Sequence, residues 1–458
     1  MGARLAVETS VARLVGRLSR AAGRGGGTTL PGKLVWKLDR SALDALASKL
    51  PDGVALVSAT NGKTTTTAMA NAILSPKRRL AWNHSGANLA SGVTSTLLAA
   101  HDAELGLLEV DEFALPEIMR RTRPKIVSLG NLFRDQLDRY GELEHVAERW
   151  REAVAALDPD ATIVANADDA LVASIAEGRR SVLRFGLDDP DHARAGLQHA
   201  SDSKYCVRCG HPYAYDAVYV GHLGAYRCPH CGHARPPLDV AAREIAPEAL
   251  DGIGFSLETP AGSARVRLQV PGLYNVYNAL AAASVALALD LELDEVVAGL
   301  ERFRAAFGRF ERFAVGDRSV LLLLIKNPAG GNEVLRTLED GGVPSTLVVA
   351  LNDRIADGRD VSWIWDVDFE PLLGRVERIL ASGERAAELA LRFTYAGFPR
   401  ERTELQPDLE RALDRGLELT PPDGELVVLP TYTAMLALRA IATRRGLTRP
   451  YWEGERVA

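Results

Sequence analysis

The segment Val57 to Met69, VSATNGKTTTTAM, constrains the fold more than any other stretch of the chain. It continues the apolar run Val54 to Val57. A buried strand that feeds a small loop and then Gly-Lys-Thr lets loop N–H groups and a helix N-terminus converge on phosphate. In an open α/β sheet, ligands of this kind bind at the carboxyl ends of the strands. The expected fold is therefore α/β with a bound nucleotide, in which Lys63 reaches the β/γ-phosphates and the Thr64 hydroxyl ligates Mg²⁺.

The flanking sequence supplies the rest of such a sheet. VALVS, LGLLEV, KIVSL, TIVA and SVLRF are strand candidates separated by helical stretches, the pattern of a largely parallel sheet. A second series starts near residue 320 with VLLLLI, TLVVAL, VERILAS, LRFTYA and ELVVLP. Two α/β domains follow, over 51–306 and 307–458, joined near AAFGRFERF, with no internal repeat. Residues 1–50 read as a helical basic leader. Val7, Val11, Leu14, Val15 and Leu18 fall on one face and Arg13, Arg17, Arg20 and Arg24 on another, either solvated or resting on an anionic membrane surface.

A net charge of −6 gives no support to nucleic acid as a partner. No stretch is apolar enough to span a membrane, and the N-terminus lacks a secretory apolar region. The expected location is the cytoplasm, with peripheral contact at the cytoplasmic membrane as the variant the leader allows.

All four cysteines of the chain stand in CVRC (206–209) and CPHC (228–231), a C-x₂-C-x₁₈-C-x₂-C pattern. That is the spacing of a tetrahedral zinc ribbon, here over 202–235, with Cys206, Cys209, Cys228 and Cys231 as ligands. His211, His230 and His233 are substitute or supporting candidates. Four thiolates leave no open position on Zn²⁺, so this metal is structural. They also leave no free cysteine in the chain.

The general P-loop pattern has a glycine where Val57 stands. The shorter form found here, Ala59-Thr60-Asn61-Gly62-Lys63-Thr64-Thr65, resembles instead the signature of the Mur ligase superfamily. LLEVDE, GNLFRDQLDRYG, ANADD (165–169), GLYNVYNALAA (272–282) and GRFE (308–311) extend the resemblance. It implies a Mur-ligase-like P-loop ATPase domain with a zinc-ribbon insertion, followed by a C-terminal Rossmann-like α/β domain. It also implies that Thr60, Asn61, Gly62, Lys63, Thr64 and Thr65 hold ATP and that Glu109, with Thr64, holds Mg²⁺. Asn275 and Asn278 would lie near the nucleotide, and Arg309 would reach it from the domain junction. Gln136 stands where the superfamily has a metal-binding histidine, and no lysine lies between Lys125 and Lys204. A second metal is thereby left open.

About 53 residues precede the P-loop strand, too few for the UDP-sugar-binding domain usual in the superfamily. LLIKNPAGGNEVL and LNDRIADGRDVSWIWDVDFE resemble a particular branch, the MurT-type synthetase subunits of lipid II isoglutaminyl synthases. This implies ATP-dependent amidation of the D-glutamate α-carboxylate of the lipid II stem peptide, with ammonia from a GatD-type glutaminase partner. A glutaminase of that class needs a cysteine nucleophile, and the cysteines here are committed to zinc. The branch also implies an aspartate that orients the partner's histidine, Asp360 by motif, with Asp357 and Asp353 as second choices. Two other readings compete: a stand-alone Mur or folylpolyglutamate-type amino-acid ligase, and an ATP-driven nucleic-acid binder using the ribbon. Against the latter, residues 201–235 carry Lys204, Arg208, Arg227 and Arg235 beside Asp202 and Asp216, which is no basic face.

Overall fold

The structure is a computed structural model that describes residues 30–83, 87–135, 143–194, 196–197, 201–304 and 309–448. The arginine stripe Arg13 to Arg24, Gln136 and the side chain of Arg309 lie outside the described residues. The latter half of the predicted leader forms two helices, Leu30–Leu38 and Ala42–Ala47, which bury Val35 and Leu43 in the first core. Close approach requires Gly32, because a Cβ there would stand 1.8 Å from the Ser91 carbonyl oxygen.

The strands of the first domain are β1 (Gly53–Ser58), β2 (Leu80–Trp82), β3 (Leu105–Glu109), β4 (Ile126–Leu129), β5 (Thr162–Asn166), β6 (Val182–Leu187), β7 (Ala214–Val220), β8 (Leu223–Arg227), β9 (Val240–Glu248), β10 (Gly252–Thr259) and β11 (Gly262–Leu268). Nine of them form one sheet in the order β11-β10-β9-β6-β5-β4-β1-β3-β2. It is parallel from β2 to β9 and antiparallel across β9, β10 and β11. The parallel part is covered on both faces, which is why its strands read as continuous apolar runs. Ala55 and Val57 face one core with the helices Lys63–Leu74 and Leu273–Leu287, while Val54 and Leu56 face the other with Ala90–Ala99 and Leu143–Ala155. The antiparallel extension was not expected. Its edge strand β11 buries only Val266 and Leu268, an alternation too short to stand out in the sequence.

The second sheet holds β12 (Arg309–Val315), β13 (Arg318–Leu323), β14 (Thr346–Ala350), β15 (Arg378–Ser382), β16 (Thr403–Leu405) and β17 (Glu425–Pro430), in the order β12-β13-β17-β14-β15-β16. All its pairings are parallel except β12 with β13. One predicted strand is corrected: LRFTYA forms the end of the helix Ala386–Tyr395 and its cap, Ala396. Leu389 and Phe393 are buried one turn apart while Leu391 and Tyr395 are exposed, a helical period that outweighs the aromatic and β-branched composition. β7 and β8 form a separate hairpin that carries the cysteine pairs at its base. No described helix is long and apolar enough to cross a membrane.

Candidate active site

β1 ends at Ser58, and the helix Lys63–Leu74 starts one tight loop later. Gly62 caps that helix at φ +91°, and a Cβ on it would fall 2.0 Å from Asn278 Oδ1. Only glycine fits there. The loop is tied down by Asn131, whose Oδ1 accepts from the Asn61 N–H at 2.9 Å and whose Nδ2 donates to the Asn61 carbonyl at 2.9 Å. Its own carbonyl accepts from the Thr60 N–H, and the Thr60 hydroxyl accepts from the Phe133 N–H at 3.1 Å. Thr64 and Thr65 lie on the first turn, half-buried.

Asn278 reaches this loop from the helix Leu273–Leu287, accepting from the Thr66 hydroxyl at 3.2 Å. Asn275 stands behind it, accepting from Asn278 Nδ2 at 3.1 Å and donating to the Pro271 carbonyl at 2.7 Å. Its side chain therefore buttresses Asn278.

Glu109 ends β3 beside the end of β1, in register with Val57. It is buried, and Asn88 Nδ2 donates to it at 3.1 Å. Lys63 folds back onto Ala59 O and Glu112 Oε2, each at 3.0 Å. Burial disfavours its charge, yet Glu112, Glu109 and Asp111 outweigh burial and hold the ammonium above the usual lysine range. Glu112 shows the mirror image: burial opposes its charge, but Lys63 and then Lys326 hold its carboxyl below the usual range.

The second domain enters here. Lys326 Nζ stands 3.0 Å from the Thr60 carbonyl and 2.6 Å from Asp135 Oδ2. Asn327 exchanges amide hydrogen bonds with Asn61 at 3.0 and 3.2 Å. The Asp135 side chain is 7% exposed, and its Oδ1 has no hydrogen-bond partner among the described residues. The carboxyl end of the sheet thus gathers two ammonium groups and the carboxylates of Glu109, Glu112 and Asp135, the charges needed to bind a polyphosphate and a hard cation. The amino terminus of the helix Lys63–Leu74, at the carboxyl end of β1, fits a nucleotide phosphate. Glu112, Asn131, Asp135, Lys326 and Asn327 had not been singled out as site residues, although all lie in the motifs LLEVDE, GNLFRDQLDRYG and LLIKNPAGGNEVL that carried the resemblance.

ANADD serves the frame. Asp168, fully buried, accepts from the Tyr277 hydroxyl at 2.6 Å, the Leu187 N–H at 2.8 Å and Arg235 at 3.0 Å. Burial nevertheless raises its pKa. Asp169 caps the helix Ala170–Ile175 and accepts from the Leu132 N–H at 2.9 Å. A cleft of about 1270 Å³, lined by Asp52, Lys125 and Thr162, opens at the opposite, amino ends of the strands and contains none of these residues.

The four cysteine sulfurs lie within 4.8 Å of one another. Cys206 and Cys231 are 3.6 Å apart and Cys209 and Cys228 3.5 Å, close to the ~3.8 Å edge of a tetrahedron with Zn–S of about 2.3 Å. Each pair sits on a knuckle turned by a left-handed glycine, Gly210 or Gly232. The donor set fits Zn²⁺. Among the histidines, His233 is buried and hydrogen-bonded to the Tyr213 hydroxyl at 2.7 Å, while His211 and His230 stack on each other.

The acidic loop after β14 lies apart from this centre. Asp357 is buried and accepts from the Thr433 N–H at 2.7 Å, with burial raising its pKa. Asp353 faces Arg385 at 3.7 Å. Asp360 is exposed, and hydrogen bonding from the Ser362 side chain, then from the Ser362 N–H 2.9 Å away, lowers its pKa. Nearby, Trp363 packs against the core, while Trp365 is exposed edge-on to Tyr395.

The fold and the P-loop site are those of a Mur-type ATP-dependent ligase. Residues 57–222 match the Mur ligase middle domain and residues 324–435 the MurT ligase C-terminal domain. A pseudomurein peptide ligase type C from Methanothermus fervidus shares the fold, with a TM-score of 0.68 over 88% of this chain and 80% of that one at 22% identity. Sequence relatives narrow the class. The chain is 33% identical to the Streptococcus pneumoniae protein named lipid II isoglutaminyl synthase (glutamine-hydrolyzing) subunit MurT, over 97% of this chain and 99% of that one. It is 31% identical to the Staphylococcus aureus subunit of the same name, over 93% and 94%. The chain belongs to the MurT family.

Proposed function

We propose that the chain is the synthetase subunit that amidates the D-glutamate α-carboxylate of the lipid II stem peptide to D-isoglutamine, in peptidoglycan synthesis at the cytoplasmic membrane face. The observation that carries this is the near full-length kinship with MurT subunits. A carboxylate oxygen of the substrate attacks the γ-phosphorus of ATP and ADP leaves. Ammonia then attacks the acyl carbon of the resulting acyl phosphate, phosphate departs, and the nitrogen loses a proton. Lys63 binds the β/γ-phosphates, with Thr60, Asn61, Gly62, Thr64, Thr65 and Asn278 around them. Thr64 and Glu109 would hold Mg²⁺, which neutralises charge on the transferring group. Zn²⁺ would stay on the four cysteines as a structural ion.

Ammonia comes from a GatD-type glutaminase subunit bound through the domain of residues 307–458. The cysteine cluster supports a separate nucleophile, because each of its thiols is placed for a metal. The exposed carboxylate of Asp360 supports its role in orienting the partner's histidine, since Asp357 is already engaged inside the chain. The test is ADP release by the purified chain with lipid II and ammonium chloride, without a partner, together with the product's mass. Conversion of one carboxyl group to an amide is expected. Turnover only with an added amino acid would return the chain to the stand-alone ligases.

A further inference from the structure

The three N–H donors of the Lys63 ammonium meet three acceptors of this chain. Nζ stands 3.0 Å from Glu112 Oε2, 3.0 Å from the Ala59 carbonyl and 3.5 Å from the Thr60 carbonyl, and an ammonium has no fourth donor. The pair is nearly out of solvent, with 11% of the Lys63 side chain and 8% of the Glu112 side chain exposed. Glu112 is also fixed from behind, since the buried indole N–H of Trp150 donates to its carbonyl at 2.8 Å.

A phosphate that takes Lys63 must displace one of these acceptors. The two carbonyls belong to the loop and are neutral. The carboxylate alone matches phosphate in charge and in its charge-assisted hydrogen bond. A buried ammonium also needs a counter-charge whenever phosphate is not on it. Glu112 is placed to supply that charge and to reclaim the lysine.

We propose that Glu112 is an internal competitor of the nucleotide, exchanging its ion pair with Lys63 for a Lys63–phosphate pair at each turnover and so lowering nucleotide affinity and hastening ADP release. This rests on the reading of Lys63 as the phosphate-binding lysine. It assigns Glu112 a positioning role toward Lys63, distinct from the metal role of Glu109.

The test is ADP binding by calorimetry to the full chain, in Mg²⁺ and again in EDTA, with stopped-flow dissociation. Glu112→Gln keeps the shape and removes the charge. It should bind ADP roughly tenfold more tightly in both buffers, the scale of one charge-assisted hydrogen bond, and release it more slowly. In a Lys63→Met background the same substitution should tighten binding by much less than tenfold, the remainder being the direct effect of the Glu112 charge on phosphate and Lys326, and the difference between the two backgrounds is the pairwise effect. Unchanged affinity for Glu112→Gln would overturn the inference. So would affinity weakened only in Mg²⁺, because Glu112 would then be a metal ligand. If Lys63→Met alone left ADP affinity at the wild-type value, the reading of Lys63 itself would fail. If that variant weakened binding while Glu112→Gln failed to tighten it, the inference would fail by itself. Thermal melting of each variant checks that it is folded.

Discussion

Glu112 and Lys63 also give the site a pH signature. The folded-state pKa of Glu112 lies below its ordinary value of 4.5, so the pair contributes stability fully above that value and loses it as pH falls through the folded pKa. Acid melts of Glu112→Gln should therefore flatten relative to wild type below pH 4.5 and run parallel to it near neutrality. At the exposed acid, Asp360→Asn should cut glutamine-driven amidation on the order of 10²-fold or more, as loss of an orienting carboxylate does in a triad. Activity with supplied ammonia should be preserved. Equal loss with both nitrogen sources would mean that Asp360 does not act through the partner's histidine.

At the scale of elements, the cysteine-bearing hairpin is joined to the nine-stranded sheet domain by more than chain connectivity. Arg235 and the Gly224 N–H both bond Asp168, which holds Tyr277 one residue before Asn278. Cys228→Ser should lower the zinc content from one ion per chain and reduce stability by several kcal/mol, since structural zinc supplies folding free energy. Loss of zinc measured by mass spectrometry with no change in melting temperature would contradict a structural metal. The four-cysteine spacing was legible in the sequence because its geometry is local to two short knuckles. ANADD was legible only as a resemblance; its role depends on Tyr277 and Arg235, which arrive from distant segments.

At the scale of the whole molecule, the helix Pro328–Gly341 joins the two domains. Arg336 donates to the Tyr219 and His192 carbonyls at 2.6 and 2.9 Å, and buried Glu333 faces Arg194 at 3.3 Å. Asn327 and Lys326, immediately before this helix, meet the P-loop. Arg336→Ala should weaken the docked arrangement by about 1–3 kcal/mol through the carbonyls left without a partner. Hydrogen exchange of that helix should rise while the helix Lys63–Leu74 keeps its protection. Unchanged exchange would mean that the interface does not depend on Arg336.

The sequence by itself determined the P-loop, the cysteine centre and most strands, because each depends on residues adjacent in the chain, as a continuous apolar run or a fixed spacing. Its error at LRFTYA came from composition that suits a strand, where only packing against the core selects the helical face. Tertiary structure alone decided that Glu112 faces Lys63, that Asn131 and Asp135 line the loop, and that Lys326 and Asn327 reach it from the other domain. Those contacts join segments up to 266 positions apart, so their chemistry appears only after the sheets have formed and the domains have docked.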